Sequence, residues 1–174
     1  MIRVGIVDDH AIVRTGLRQF LSEQVDLRVS GEAANGREAL ELARGGETDV
    51  MLMDLSMPDQ GGVDALAAIK ARFPDLHVLI LSGFPEAHYA TTLLRQGASG
   101  YINKEADPDE IVKAIRTVAL GRRYITPAVA EMLADGMAAG GDRPAHENLS
   151  ERELQVFLRL AKGETIGHMA ESMS

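Results

Sequence analysis

Short runs of apolar residues recur between positions 4 and 103 of the chain, and four of them end in reactive polar groups. Val4-Gly5-Ile6-Val7 gives way to Asp8 and Asp9, Val50-Met51-Leu52-Met53 to Asp54, Val78-Leu79-Ile80-Leu81 to Ser82, and Tyr101-Ile102-Asn103 to Lys104. Runs of this length without polar alternation predict strands buried on both faces, as in a parallel sheet. The stretches between them carry helical spacing. Val13, Leu17, Phe20 and Leu21 make one apolar face; Ala39, Leu40 and Ala43 make another behind Asn35 as cap. Val63, Leu66, Ala67 and Lys70 trace a third helix that stops before Pro74, and Ala87, Ala90, Leu93 and Leu94 a fourth closed by Gly97. Asp107 as cap and Pro108 in the first turn open a fifth, with Ile111, Ile115 and Val118 inward. With Arg28 to Ala33 as a further strand, residues 1–121 alternate strand and helix five times. Right-handed crossovers then predict a doubly wound α/β domain around a five-stranded parallel sheet.

The punctuation changes after residue 121. Thr126-Pro127 predicts a short helix holding Val129, Met132 and Leu133, and the Gly- and Ala-rich stretch from Asp135 to Asn148 reads as a connector, so residues 122–148 are expected to form a linker with a short helix. Order is predicted to return at 149–174. Ser150 and Glu153 have capping-box spacing, Leu149 and Leu154 that of a hydrophobic staple, and Leu154, Phe157, Leu158 and Ala161 a buried stripe ending at Gly163. Thr165 can cap a second short helix through Met169, Ala170 and Met173.

Composition narrows the function. The formal net charge is −8, and residues from 143 onward carry 4 basic against 5 acidic side chains, which leaves −7 for residues 1–142. So acidic a body is not expected to grip nucleic acid, whose phosphates need a cationic face. The chain has no cysteine, which excludes disulfides and thiolate metal sites. Met1-Ile2-Arg3-Val4 leads straight into a strand, and no apolar stretch nears the roughly 20 residues of a membrane span, so a cytoplasmic location without membrane partners is expected.

In open α/β sheets, ligands bind outside the carboxyl ends of the strands. There the sequence gathers Asp8, Asp9, Asp54, Ser82 and Lys104. Three crowded carboxylates repel one another unless a cation sits among them, and Mg2+ takes one or two carboxylates and fills its octahedron with water and phosphate oxygens. A carboxylate beside such an ion can attack a phosphoryl group and form an aspartyl phosphate. Asp54, alone at the tip of a central strand, is the candidate nucleophile, with Asp8 and Asp9 holding the metal. Lys104 would supply positive charge to the phosphoryl oxygens and Ser82 a hydrogen bond made only once the phosphoryl has arrived. His10 is expected to line the pocket at a helix start. Gly61-Gly62 is taken as a loop signal, since no phosphate-cradling glycine motif follows the first strand.

This constellation, with Asp54-Leu55-Ser56-Met57-Pro58 and Gly61-Gly62 after the third strand, resembles the receiver domain of two-component response regulators over residues 1–121. The stretch Leu149-Ser150-Glu151-Arg152-Glu153-Leu154 through Ala161-Lys162-Gly163 looks like the opening of a LuxR-type helix-turn-helix domain. Together they resemble the NarL/FixJ subfamily. The resemblance implies a flavodoxin-like receiver, phosphorylation of Asp54 by a sensor histidine kinase, and Mg2+ held by Asp8, Asp9, Asp54 and the Ser56 main-chain carbonyl. It also implies Ser82 as switch hydroxyl, Tyr101 as switch aromatic, Lys104 as the phosphate-contacting lysine, and homodimerisation on phosphorylation to control transcription. The sequence ends at Ser174, about where the family's recognition helix would begin, so operator DNA is expected to bind the complete C-terminal domain and not residues 149–174 as they stand. Two other readings compete: a receiver acting only through protein–protein contacts, and a phosphohydrolase using the same intermediate. Haloacid-dehalogenase-like phosphatases place a second aspartate two residues after the nucleophile, and here that position is Ser56.

Overall fold

A computed structural model describes residues 1–57, 62–83 and 86–138. Five strands and five helices alternate: β1 (Ile2–Val7), α1 (Ala11–Ser22), β2 (Leu27–Ala33), α2 (Gly36–Arg44), β3 (Val50–Asp54), α3 (Gly62–Arg72), β4 (His77–Ser82), α4 (Glu86–Arg95), β5 (Gly100–Asn103) and α5 (Pro108–Ala119). A sixth helix, α6 (Pro127–Ala138), follows. The strands pair in parallel in the order β2-β1-β3-β4-β5. The chain therefore reverses its direction of travel across the sheet at β1 and β3, the topological switch point where such sheets place their ligand crevice.

The apolar runs are buried on both sides, as their lack of polar alternation requires. Along β3, Met51 and Met53 pack with α2, α3 and α4 residues, while Val50 and Leu52 face the opposite layer formed with α1 and α5; β4 divides likewise into Val78 and Ile80 against Leu79 and Leu81. Local signals set the helix ends. Asn35 accepts a hydrogen bond from the Glu38 amide at 2.9 Å while Glu38 accepts from the Ala34 amide at 2.8 Å, so two amides at the start of α2 are satisfied. Asp107 caps α5 through the Asp109 amide, with Pro108 in the first turn. Gly97, at φ +101°, turns the chain out of α4 in a conformation that side chains with a Cβ rarely adopt.

Three details differ from the sequence expectation. The second strand starts at Leu27, one residue early. The inward stripe of α3 is Val63, Leu66 and Ile69, whereas Ala67 and Lys70 are only half-buried. Lys70 is turned toward the helix end, where its ammonium donates to the carbonyls of Pro74 and Leu76 at 2.5 and 3.0 Å. The sixth helix runs past Asp135 to Ala138 and is packed, not free. It lies on α4; Val129 is 2% exposed within the same core cluster as Tyr101, and Ile125 and Leu133 rest against that cluster. Tyr124 forms a parallel bridge with Gly100, donates its backbone amide to the Ser99 carbonyl, and donates its hydroxyl to Glu110 at 2.7 Å. The helix starts expected at 149–174 lie outside the described residues. Among the described residues no helix is long and apolar enough to cross a membrane.

Candidate functional site

The carboxyl ends of β1, β3, β4 and β5 bring the expected side chains to one place. Asp8 and Asp54 are each 1% exposed and Ser82 is fully buried, an unusual set of polar groups for a sheet interior. The Lys104 ammonium reaches across from the loop after β5, donating to Asp8 Oδ2 at 2.6 Å and lying 2.9 Å from Asp54 Oδ2. Its backbone amide is anchored on the Ser82 carbonyl at 2.8 Å, which ties the β5 loop to the end of β4. Asp54 Oδ1 accepts the Ser56 amide at 3.0 Å, so one face of the carboxylate is fixed by its own loop.

The β1 end is held as firmly. The His10 amide donates to Asp8 Oδ1 at 2.8 Å, and Arg14, one turn into α1, donates from Nη1 to the Asp8 carbonyl at 2.7 Å. Arg14 was not foreseen as part of the site; its position four residues after His10 on the first turn of α1 is the signal that could have found it. Asp9 is more exposed than Asp8 and turns outward beside His10. Tyr101, expected as the switch aromatic, is 2% exposed and lies within the core cluster. Gly62 has a larger part than a loop signal. A Cβ there would stand 2.3 Å from the Asp54 carbonyl oxygen and 2.6 Å from Leu55 Cα, so the start of α3 packs directly on the backbone that carries Asp54.

Burial raises the Asp54 pKa above the usual carboxylate value, with the nearby Asp8 charge adding to it, while the Lys104 charge and the Ser56 amide oppose the rise. For Lys104, burial alone would lower the pKa, but its hydrogen bond to Asp8 and the charges of Asp54 and Asp8 outweigh it and raise the value. The result is a more basic carboxylate beside an ammonium that stays charged at neutral pH.

The donor set fits a small hard cation. Ligand atoms of Asp8, Asp9, His10 and Asp54 lie within 4.8 Å of one another. Asp9 Oδ1 and Asp54 Oδ2 are buried and lack a hydrogen-bond partner; His10 Nδ1 and Lys104 Nζ come near them only as charge contacts, outside hydrogen-bond geometry. Buried carboxylate oxygens left over in this way are costly without a counter-ion.

The description "Response regulator receiver domain" matches residues 4–116. The chain belongs to the response regulator receiver family. It is 37% identical to "Response regulator UvrY" of Escherichia coli (strain K12) over 175 residues, covering all of this chain and 80% of that protein. Among solved structures it is similar to a two-component response regulator of the LuxR family from Aurantimonas sp. SI85-9A1, at 35% identity and a TM-score of 0.71, over 78% of this chain and 97% of that one. It is also similar to RcsB of Salmonella enterica serovar Typhimurium bound to a promoter in the presence of the phosphomimetic BeF3-, at 26% identity and a TM-score of 0.70, over 98% of this chain and 82% of that one. As a receiver, the chain carries its acidic pocket at the switch point of the sheet, where the geometry alone had put it.

Proposed function

We propose that this response regulator takes a phosphoryl group onto Asp54 from a sensor histidine kinase in the cytoplasm, with Mg2+ bound in the acidic pocket, and thereby controls transcription. The observation that carries this reading is the placement of Asp54, buried at the tip of β3 with the Lys104 ammonium 2.9 Å from its free oxygen. That oxygen forms the bond to phosphorus as the phosphorus–nitrogen bond of the donor phosphohistidine breaks. The imidazole leaves with the electron pair and is protonated from solvent. Asp9, Asp54 and the Ser56 carbonyl would hold the metal directly, with Asp8 behind them, and the ion would offset the charge on the phosphoryl oxygens.

Once the phosphoryl is in place, Lys104 exchanges Asp54 for a phosphoryl oxygen, and the Ser82 hydroxyl at the end of β4 donates to another. Only contacts that differ between the two states bias a switch. The Lys104 amide is bonded to the Ser82 carbonyl, so a shift of Ser82 draws the β5 loop with it. Tyr101 already lies in the core with α4 and Val129, so its part is repacking within that cluster and not an outward-to-inward swing. Homodimerisation and DNA binding through a complete C-terminal domain are the output, and the promoter-bound RcsB relative supports the DNA-binding part of it.

The test is incubation with acetyl phosphate and mass spectrometry of the intact chain. The wild type should gain one phosphoryl group in Mg2+ and none in chelator, and Asp54→Asn should gain none. Labelling of Asp54→Asn at the wild-type rate would reject the assignment. Lys104→Ala and Ser82→Ala should still be labelled, yet lose phosphorylation-dependent dimerisation in sedimentation.

A further inference from the structure

Every hydrogen-bonding group of Asp8 is engaged. Its amide donates to the Ala33 carbonyl at the end of β2 at 3.1 Å, its carboxylate accepts from the His10 amide and the Lys104 ammonium, and its carbonyl accepts from Arg14 Nη1 at 2.7 Å. Asp9 is the contrasting case, because its buried Oδ1 has no hydrogen-bond partner. The direction of the Asp9 side chain therefore rests largely on its backbone, whose amide shares one rigid plane with the Asp8 carbonyl. The Arg14 bond fixes that plane.

Arg14 is itself held from the side. Its Nε donates to Glu32 Oε2 at 3.3 Å, and Glu32 stands on β2, the edge strand of the sheet, opposite Ile6 of β1. The other Glu32 oxygen accepts from Arg18 Nη1 at 3.0 Å. The two arginines differ in setting: the Arg14 side chain is 18% exposed and reaches the backbone of the pocket, whereas that of Arg18 is 54% exposed, the kind of pair that contributes little. A guanidinium presents its donors in one fixed plane, so anchoring Nε on Glu32 sets where Nη1 points.

We propose that Arg14 is a positioning residue for the acidic pocket. Anchored by Glu32, it holds the Asp8–Asp9 peptide so that the Asp9 carboxylate faces the metal site. The affinity of the pocket for its cation then depends on Glu32, an edge-strand residue outside the cluster of ligand atoms. This rests on the metal reading of the site proposed above. Crowded carboxylates repel one another until a cation joins them, and holding the backbone beneath them reduces what must be reordered when the ion enters. Electrostatics alone gives the opposite sign. Arg14 is a cation beside a cation site, so deleting its charge with no loss of positioning would tighten Mg2+ binding. A purely structural role, docking α1 on the sheet, would lower the melting temperature and leave the Mg2+ affinity of the folded protein unchanged.

Calorimetric Mg2+ titration of the full chain tests this, with circular dichroism checking that each variant is folded. Arg14→Ala should weaken Mg2+ by about 10–100-fold, the range typical when a group that orients metal ligands from behind is removed. Arg14→Lys should not restore it, because an ammonium lacks the planar fork; should Arg14→Ala not fold, Arg14→Lys takes its place in the test. Glu32→Ala should weaken Mg2+ by about 3–10-fold in the wild type but by less than about twofold when added to Arg14→Ala, since it acts through that residue. Arg18→Ala should stay within about twofold. Labelling of Arg14→Ala by acetyl phosphate should need more Mg2+ yet come within about threefold of the wild-type rate at saturation, the split expected when binding and not chemistry is impaired. Mg2+ affinity in Arg14→Ala equal to or tighter than in the wild type, or equal losses from Glu32→Ala in both backgrounds, would overturn the inference while leaving the pocket a metal site. If Asp9→Asn leaves Mg2+ affinity unchanged, the metal reading itself falls, and this inference with it.

Discussion

At the scale of single residues, the site holds its polar groups at some expense to stability. Asp54 is an acid whose folded-state pKa lies above its ordinary 3.8, chiefly because it is buried. Above the folded pKa the carboxylate is charged in both states and the unfavourable burial acts in full; as pH falls through the folded pKa the penalty shrinks, and below 3.8, where the group is neutral in both states, it vanishes. Asp54→Asn should therefore stabilise the apo protein near pH 7 by about 0.5–2 kcal/mol, the gain common when functional strain is relieved. The gap from wild type should close as pH falls toward 4, and thermal melts across that range check it. Gly62 offers the opposite case. Gly62→Ala puts a Cβ against the Asp54 carbonyl oxygen and Leu55 Cα, both backbone atoms that cannot swing aside, so a loss of about 1–3 kcal/mol is expected, the range for overpacked sites. Phosphorylation by acetyl phosphate should slow as well, because the displaced backbone carries Asp54, the proposed nucleophile. A wild-type melting temperature and labelling rate would remove Gly62 from the support of Asp54.

At the scale of elements, the strands were legible because a continuous apolar run has few other stable fates, and the residue that ends each run marks the mouth of the sheet. The α2 start was legible for a similar reason. Asn35 and Glu38 act within one turn, so their pairing needs no tertiary partner to be recognised. Asn35→Ala should cost about 1 kcal/mol, which urea denaturation can measure, with little effect on phosphorylation because the cap lies at the far side of β1 from Asp54. Features that depend on distant chain were not legible. Gly62 looks like any loop glycine until α3 is seen to rest on β3, and the extent of α6 is hidden because its stabilising partner, α4, is some thirty residues earlier in the chain. The contacts of the His10 ring escaped for another reason: the residue was expected at the pocket, but the rotamer that brings Nδ1 to Asp8 and Asp9 is a property of the folded helix cap.

At the scale of the whole molecule, the question is where the receiver ends. The strand–helix alternation closes with α5 at Ala119, and the family match ends at residue 116, yet the packed unit continues through α6. Positions 89–94 of α4 are all buried, and six successive helical residues, at about 100° each, sweep the whole circumference. One side meets the sheet through Ala90, Leu93 and Leu94; α6 is the element packed against the helix elsewhere. The cover is imperfect, since the Thr91 and Thr92 hydroxyls are buried without hydrogen-bond partners. Burying Val129 and most of Leu133 is worth about 1.5–3 kcal/mol for each fully covered side chain, and unpaired hydroxyls give back about 1–3 kcal/mol each. The contact is thus close to balance, favourable enough to form and cheap enough to exchange in the repacking proposed for Tyr101 and α4. A fragment ending at Gly121 should consequently melt below one ending at Ala138, by a few degrees and not by tens, and should show faster amide exchange in α4 and β5. On the proposed switch, in which Tyr101 and α4 repack, phosphorylation should narrow that difference. If the two fragments exchange α4 amides equally fast, α6 is a tether and not part of the receiver core.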